Sequence, residues 1–197
     1  MALPVSHSSA NVADVLVRFL PLLKQNNTGA KCLDLACGQG RNGLWLARRN
    51  LPVVFADRDA EALRRVRGAL DLEHLHGEIW QVDFEKEAEE NPLAVRGAAF
   101  DAIVVFNYLH RPLIPAIRNS IRPGGLIVYE TFTAKQALFG RPRNPDYLLR
   151  PGELQTFFQG WSIIYSNEGE TVNPRRAFAS IIARKEGDGS VKCARQK

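Results

Sequence analysis

Gly38, Gly40 and Gly43 stand as G-x-G-x-x-G inside LDLACGQGRNGLWLA, residues 33–47. Glycines at that spacing let a backbone loop close on a ligand where a helix begins, the pattern of a dinucleotide site. Asp34 lies just ahead of the loop, and an acid there discriminates between ligands. A dinucleotide would seat a doubly negative pyrophosphate on the helix N-terminus. Repulsion from a carboxylate about 4–6 Å away would cost on the order of kilocalories in a partly buried site. S-Adenosylmethionine carries an ammonium and a sulfonium instead, and a carboxylate attracts both. Electrostatics therefore favours the methyl donor over a nicotinamide cofactor, provided that Asp34 faces the ligand.

Two further acids fall in register. Asp57 ends PVVFAD, seventeen residues after Gly40, where it can accept both ribose hydroxyls. A hydrogen bond to a charged acceptor is worth roughly 1.5–3 kcal/mol. Its other reading is a helix cap or loop charge. Asp83 stands at the end of the third predicted strand, next to last in EIWQVDF, where its carboxylate or the neighbouring backbone can meet an adenine amino group.

On the acceptor side the residues are less decisive. His110 follows the fourth apolar run and is a candidate base or substrate contact, or a group bonded to nearby backbone. Tyr108 and Tyr147 can shape an acceptor pocket or simply pack. Arg111, Arg141, Arg143 and Arg150 surround the expected mouth and suit either an anionic acceptor or solvent. Glu130, near the end of LIVYETF, faces the pocket or a solvated edge. Methyl transfer is an in-line displacement, and positioning alone can supply roughly 7–11 kcal/mol. A soft nucleophile needs no base, so no catalytic triad is expected. Cys37 fits the loop as a small side chain, not as a nucleophile.

The elements that must position these residues alternate. Val12, Val15, Leu16, Phe19, Leu20 and Leu23 recur at helical spacing. Strands are predicted over 31–36, 52–57, 78–84, from 100 and over 126–132. Helices are predicted over 41–50, over 59–72 with Asp59 as N-cap, and over LIPAIRNSI, stopped by Pro123-Gly124-Gly125. Residues 133–150 read as a long loop or lid, ELQTFFQ as a short helix, and the stretch from Gly160 as two strands. Repeated strand–helix units imply an α/β fold, a mostly parallel sheet with helices on both faces. The closing pair implies an antiparallel edge. One domain is expected over 1–185, with residues 186–197 a frayed tail.

The chain's 197 residues suit one domain. The net charge of +5 admits an acidic partner or nucleic acid and equally a solubilising surface. Three cysteines without a C-x-x-C pair argue for a reduced, cytoplasmic protein with no structural zinc. The first basic residue is Arg18, and no apolar run reaches membrane-spanning length, so neither a secretory leader nor a membrane role is expected.

With these residues in view, the chain resembles the class I S-adenosylmethionine-dependent methyltransferases from about residue 6 to residue 185. LDLACGQG is similar to their first motif, with Ala36 in place of a glycine. VVFADRDAEAL resembles the second, which implies that Asp57 holds the ribose and Arg58 flanks the adenine. VDFE resembles the third, with Asp83 and Phe84 at the adenine edge. FDAIVVFNYLH resembles the fourth, with Asn107 and Tyr108 toward the methionine end, and IRPGGLIVYETF resembles the fifth strand and its turn. The resemblance implies a Rossmann-like, seven-stranded sheet of order 3-2-1-4-5-7-6 with strand 7 antiparallel. His7-Ser8-Ser9, the short length and LLRPGELQTFFQGW are similar to the TehB-like, tellurite-resistance type. The implied activity is methyl transfer to a small molecule, with Asp34, Ala36, Gly38 and Gly40 also at the donor. Tyr108, His110, Arg111, Arg143 and Tyr147 are the expected acceptor contacts, and the N-terminal segment and 133–150 its roof. An RNA or protein acceptor stays open, as does a non-catalytic S-adenosylmethionine-binding protein. FNYL lacks the prolines of the [DNS]-P-P-[YFW] motif found in nucleobase amino methyltransferases.

Overall fold

The computed structural model describes residues 12–86, 92–95 and 100–187. His7-Ser8-Ser9 and the rest of the N-terminal segment, most of the acidic EKEAEENP stretch and nearly all of the expected tail lie outside them.

The chain runs α1 (Asp14–Gln25), β1 (Cys32–Leu35), α2 (Arg41–Ala47), β2 (Val53–Asp57), α3 (Ala60–Leu72), β3 (Gly77–Gln81), α4 (Pro92–Val95), β4 (Phe100–Phe106), α5 (Ile114–Ser120) and β5 (Ile121–Phe132). It closes with α6 (Glu153–Thr156), β6 (Ser162–Val172) and β7 (Arg175–Arg184). The strands form one sheet of order β3-β2-β1-β4-β5-β7-β6. β1 to β5 pair in parallel, and β7 lies antiparallel to both β5 and β6. This is the expected order.

The central strands are buried on both faces, which is why CLDL and FDAIVVF are nearly unbroken apolar runs. Alternate side chains feed two cores. Leu33, Leu35, Ile103 and Val105 pack with α5 and α6 residues such as Ile117 and Leu154. Cys32, Phe55, Ala102 and Val104 pack with Leu16, Leu46 and Val66 from α1, α2 and α3. Asp59 caps α3 by accepting the Glu61 and Ala62 amides at 2.9 and 3.2 Å, a contribution of about 1 kcal/mol.

Several boundaries differ from expectation for local reasons. β3 stops at Gln81, because Asp83 turns the chain by accepting the Glu85 amide at 3.1 Å. β5 begins at Ile121 and carries Pro123-Gly124-Gly125 past a register shift opposite Phe100 and Ala102. Residues 133–150 are not a free lid. They hold two 3₁₀ turns (Ala134–Leu138 and Pro145–Tyr147), and Thr133 bridges Leu149. Among the described residues no helix is long and apolar enough to cross a membrane.

Candidate donor and acceptor sites

The glycine loop occupies the carboxyl end of β1, where the sheet order reverses and open α/β sheets bind ligands. Ala36, Gly38 and Gly40 have φ of 53, 54 and 74°. Glycine adopts that region freely, whereas at Ala36 a side chain is held there at a cost of about 1–2 kcal/mol. Gly43 serves a different need. A Cβ there would lie 2.4 Å from Phe55 Cε1 and 2.6 Å from Asp34 Oδ2. The third glycine therefore lets α2 settle on β1 and β2. Gly43→Ala is expected to destabilise the fold by about 1–3 kcal/mol, read as a lower urea midpoint with an unchanged slope.

That packing also corrects the expectation for Asp34. Strand alternation turns its side chain to the face covered by α1, α2 and α3, where it is only 3% exposed. Its Oδ2 accepts the Gly43 amide at 2.8 Å. Burial pushes its carboxyl up to about 7, the Gly43 N–H and Arg41 pull it down, and Asp57 adds to the rise. Asp34 thus anchors the start of α2 beneath the crevice and forms no part of its wall. A carboxylate lying against the ligand cannot be read at this position.

The crevice itself has a volume of about 240 Å³. β1 and β2 contribute Ala36, Asp57 and Arg58 from beyond their carboxyl ends, and the segment after β3 contributes Val82, Phe84 and Glu85. Phe106, Asn107 and Tyr108 complete it from the end of β4. Asp57 accepts the Gly38 amide at 2.7 Å and the Asp59 amide at 2.9 Å, so one carboxylate ties the glycine loop to the second strand. Both oxygens keep lone pairs for a further donor. Arg58 and Glu85 approach to 3.5 Å. Phe84 packs edge-on against Trp80. Asp83 is not among the residues lining the crevice; one of its oxygens accepts the Glu85 amide in the turn that presents Phe84 and Glu85.

Asn107 takes φ 56°, a conformation asparagine tolerates better than most residues. Its amide donates to the Glu130 carbonyl at 2.9 Å, and its Oδ1 accepts from Arg176 Nη2 at 2.8 Å. Burial raises the Tyr108 hydroxyl well above its ordinary value, Glu85 and Asp83 adding to the rise, so it stays protonated and can donate.

The other expected acceptor residues do not gather at this crevice. Arg111 bonds both oxygens of Glu153 at 2.8 and 2.9 Å and the carbonyls of Asp146 and Leu148. Its guanidinium is consumed in pinning the 133–150 segment. Arg143 shares a separate surface cleft with Arg111 and Arg150, and Tyr147 is exposed on the same segment. His110 lies beyond the wall, with a buried Nε2 that has no hydrogen-bond partner.

Glu130, left between pocket and solvated edge by the sequence, lines a second cavity together with residues that sequence reasoning passed over. This cavity measures about 200 Å³ and is lined by Asp14 and Arg18 of α1, Glu130 of β5 and Arg176 of β7, with Tyr165 and Phe178 as its aromatic wall. The signal for Arg176 was topological. An antiparallel β7 enters the sheet at the carboxyl end of β5, as Phe132 opposite Phe178 shows.

Among known proteins, the crystal structure of TehB from Haemophilus influenzae superposes with a TM-score of 0.72, at 21% identity over 89% of this chain and 63% of that one. The H. influenzae protein named "Probable S-adenosyl-L-methionine-dependent methyltransferase TehB" is 25% identical over 173 residues, 79% of this chain and 57% of that protein. A Xylella fastidiosa protein named "Ubiquinone biosynthesis O-methyltransferase" is 33% identical over 117 residues, 57% of this chain and 46% of that one. The chain spans about half the length of the curated relatives it matches. The model of the family described as "Tellurite resistance protein TehB" matches residues 23–173, and the chain belongs to that family.

Proposed function

We propose that the chain is an S-adenosylmethionine-dependent methyltransferase acting on a small molecule. The observation that carries this reading is Asp57. It stands at the end of β2, on the wall of a crevice at the sheet's switch point, already bonded to the glycine loop. A nucleoside fits this cradle. Asp57 would accept the ribose hydroxyls, Phe84 with Arg58 and Glu85 would border the adenine, and Asn107 and Tyr108 would meet the methionine end. With Glu85 paired to Arg58, Asp57 leaves the wall one net negative charge, which suits a cationic ligand better than a pyrophosphate. When bound, the donor supplies an electrophilic methyl on a sulfonium.

The names of the H. influenzae and Xylella relatives support the activity. A second cavity the size of a single substituted ring supports a small acceptor over a polymer. Free Cys32 and Cys37 suit a reducing, cytoplasmic setting. Isothermal titration with S-adenosylmethionine and S-adenosylhomocysteine tests the reading, and both are expected to bind one site. Folded protein that binds neither, or that NAD stabilises against heat in their place, overturns it.

A further inference from the structure

The second cavity and the donor crevice adjoin at the carboxyl ends of β4 and β5. Asn107 stands on the crevice wall, accepts from Arg176, and donates its amide to the carbonyl of Glu130. Glu130 and Arg176 both face the second cavity. Arg176 spends a donor on Asn107, and the Glu130 carboxyl has no hydrogen bond or ion pair among the described residues. A half-buried carboxyl left without a partner, one residue from the reacting end of the donor crevice, is a group that a ligand would complete.

The charges around it are mixed. Burial pushes Glu130 up to about 7, Arg176 pulls it down, Asp14 pushes it up and Arg41 pulls it down. Arg18 joins them on the cavity wall. These charges come from β7, α1 and, behind the wall, α2, while β6 contributes the titratable Tyr165 and the neutral Asn167 and Thr171, and together they leave the carboxyl able to exchange a proton near neutrality. Tyr165 and Phe178 give the same cavity an apolar, aromatic side.

Resting on the methyltransferase reading, we propose that this cavity holds the methyl acceptor, a small hydroxyl-bearing aromatic compound, and that Glu130 is the catalytic residue that takes the hydroxyl proton. As the acceptor oxygen forms its bond to the methyl carbon, the carbon–sulfur bond breaks and its electron pair stays on sulfur. The hydroxyl proton passes to the Glu130 carboxylate, which later returns it to solvent. Arg176, tethered to Asn107, is a positioning residue that holds Asn107 at the border across which the acceptor oxygen meets the methyl carbon.

Glu130→Gln keeps shape and removes the titrating group, and Glu130→Asp keeps a carboxylate at a shorter reach. The first measurement is calorimetric titration with S-adenosylhomocysteine, which both variants and the unchanged chain should bind equally. Absence of binding to the unchanged chain defeats the donor reading itself. In the second, catechol is titrated into S-adenosylhomocysteine-loaded protein between about pH 5.5 and 8.5. Affinity should rise about tenfold as the carboxyl ionises near pH 7, and Glu130→Gln should show no such rise. In the third, methyl transfer to catechol should fall about 10²–10⁴-fold in Glu130→Gln, with its pH slope lost and part of the rate kept by Glu130→Asp. The proposal is overturned if catechol does not bind the loaded protein or if Glu130→Gln keeps the pH-dependent binding. Transfer to thiophenol alone, at equal rates in all three proteins, overturns it as well.

Discussion

Asp57→Ala is expected to weaken S-adenosylmethionine and S-adenosylhomocysteine binding about 10²–10⁴-fold while the protein still folds. In the proposed donor site the carboxylate is the charged acceptor for two ribose hydroxyls, at roughly 1.5–3 kcal/mol each, and each 1.4 kcal/mol is about tenfold in affinity. The same oxygens hold the Gly38 and Asp59 amides. Truncation therefore also loosens the loop that the ligand must meet, and preorganisation is lost along with direct contacts. Stability should fall by only about 1–2 kcal/mol, since Asp57 is partly exposed and water can take over both amides. Asp57→Asn keeps one acceptor oxygen and should lie between the two. Calorimetry beside thermal unfolding separates the effects, and affinity within about threefold of the unchanged chain would remove Asp57 from the donor site.

The contrast between Asp57 and Asp34 shows what a sequence of this kind carries. The alternation of strands and helices was legible because each strand is short, apolar and separated from the next by a helical period, and the helix-free close pointed to an antiparallel edge; the order of the strands came from the resemblance of the motifs. Asp57 was legible because an acid at the last position of a strand has nowhere to go but the carboxyl rim. Asp34 sits inside its strand, and there the face decides. Its glycine partner held the clue, since Gly43 leaves the space that the Asp34 carboxylate fills from below. Asp83 failed for a similar reason, its side chain closing a turn that hands the wall to Phe84 and Glu85. Arg111, Arg143 and Tyr147 were gathered by nearness in sequence to a supposed mouth, whereas Glu153 draws Arg111 into a structural pin. Glu130 and Arg176 meet only through pairing between β5 and β7, more than forty residues apart, and no local pattern announces that contact.

If Asp34 is a buried anchor and not a ligand contact, Asp34→Asn should leave donor affinity within about threefold and change stability instead. The folded carboxyl is raised from its ordinary 3.8 to about 7. Relative to high pH, a raised acid favours the folded state most while it is protonated in both states, and that advantage is lost as the unfolded chain ionises ahead of the folded one. Its contribution is therefore full below about pH 4, declines as pH rises, and is gone above about pH 7. That displacement corresponds to up to about 4 kcal/mol of stability lost across the interval. An asparagine oxygen can still accept the Gly43 amide, so the anchor survives while the titration disappears. Urea unfolding between about pH 4 and 8 should show a slope in the unchanged chain that Asp34→Asn flattens, the variant being about 2 kcal/mol the more stable at pH 8. The buried amide protons need partners of their own, which keeps that gain below the full displacement. Donor binding lost with an unflattened slope would put the carboxylate back in the crevice. Binding kept and the slope flattened would mean that the donor is held by the crevice wall, with Asp34 holding the first turn of α2 in place beneath it.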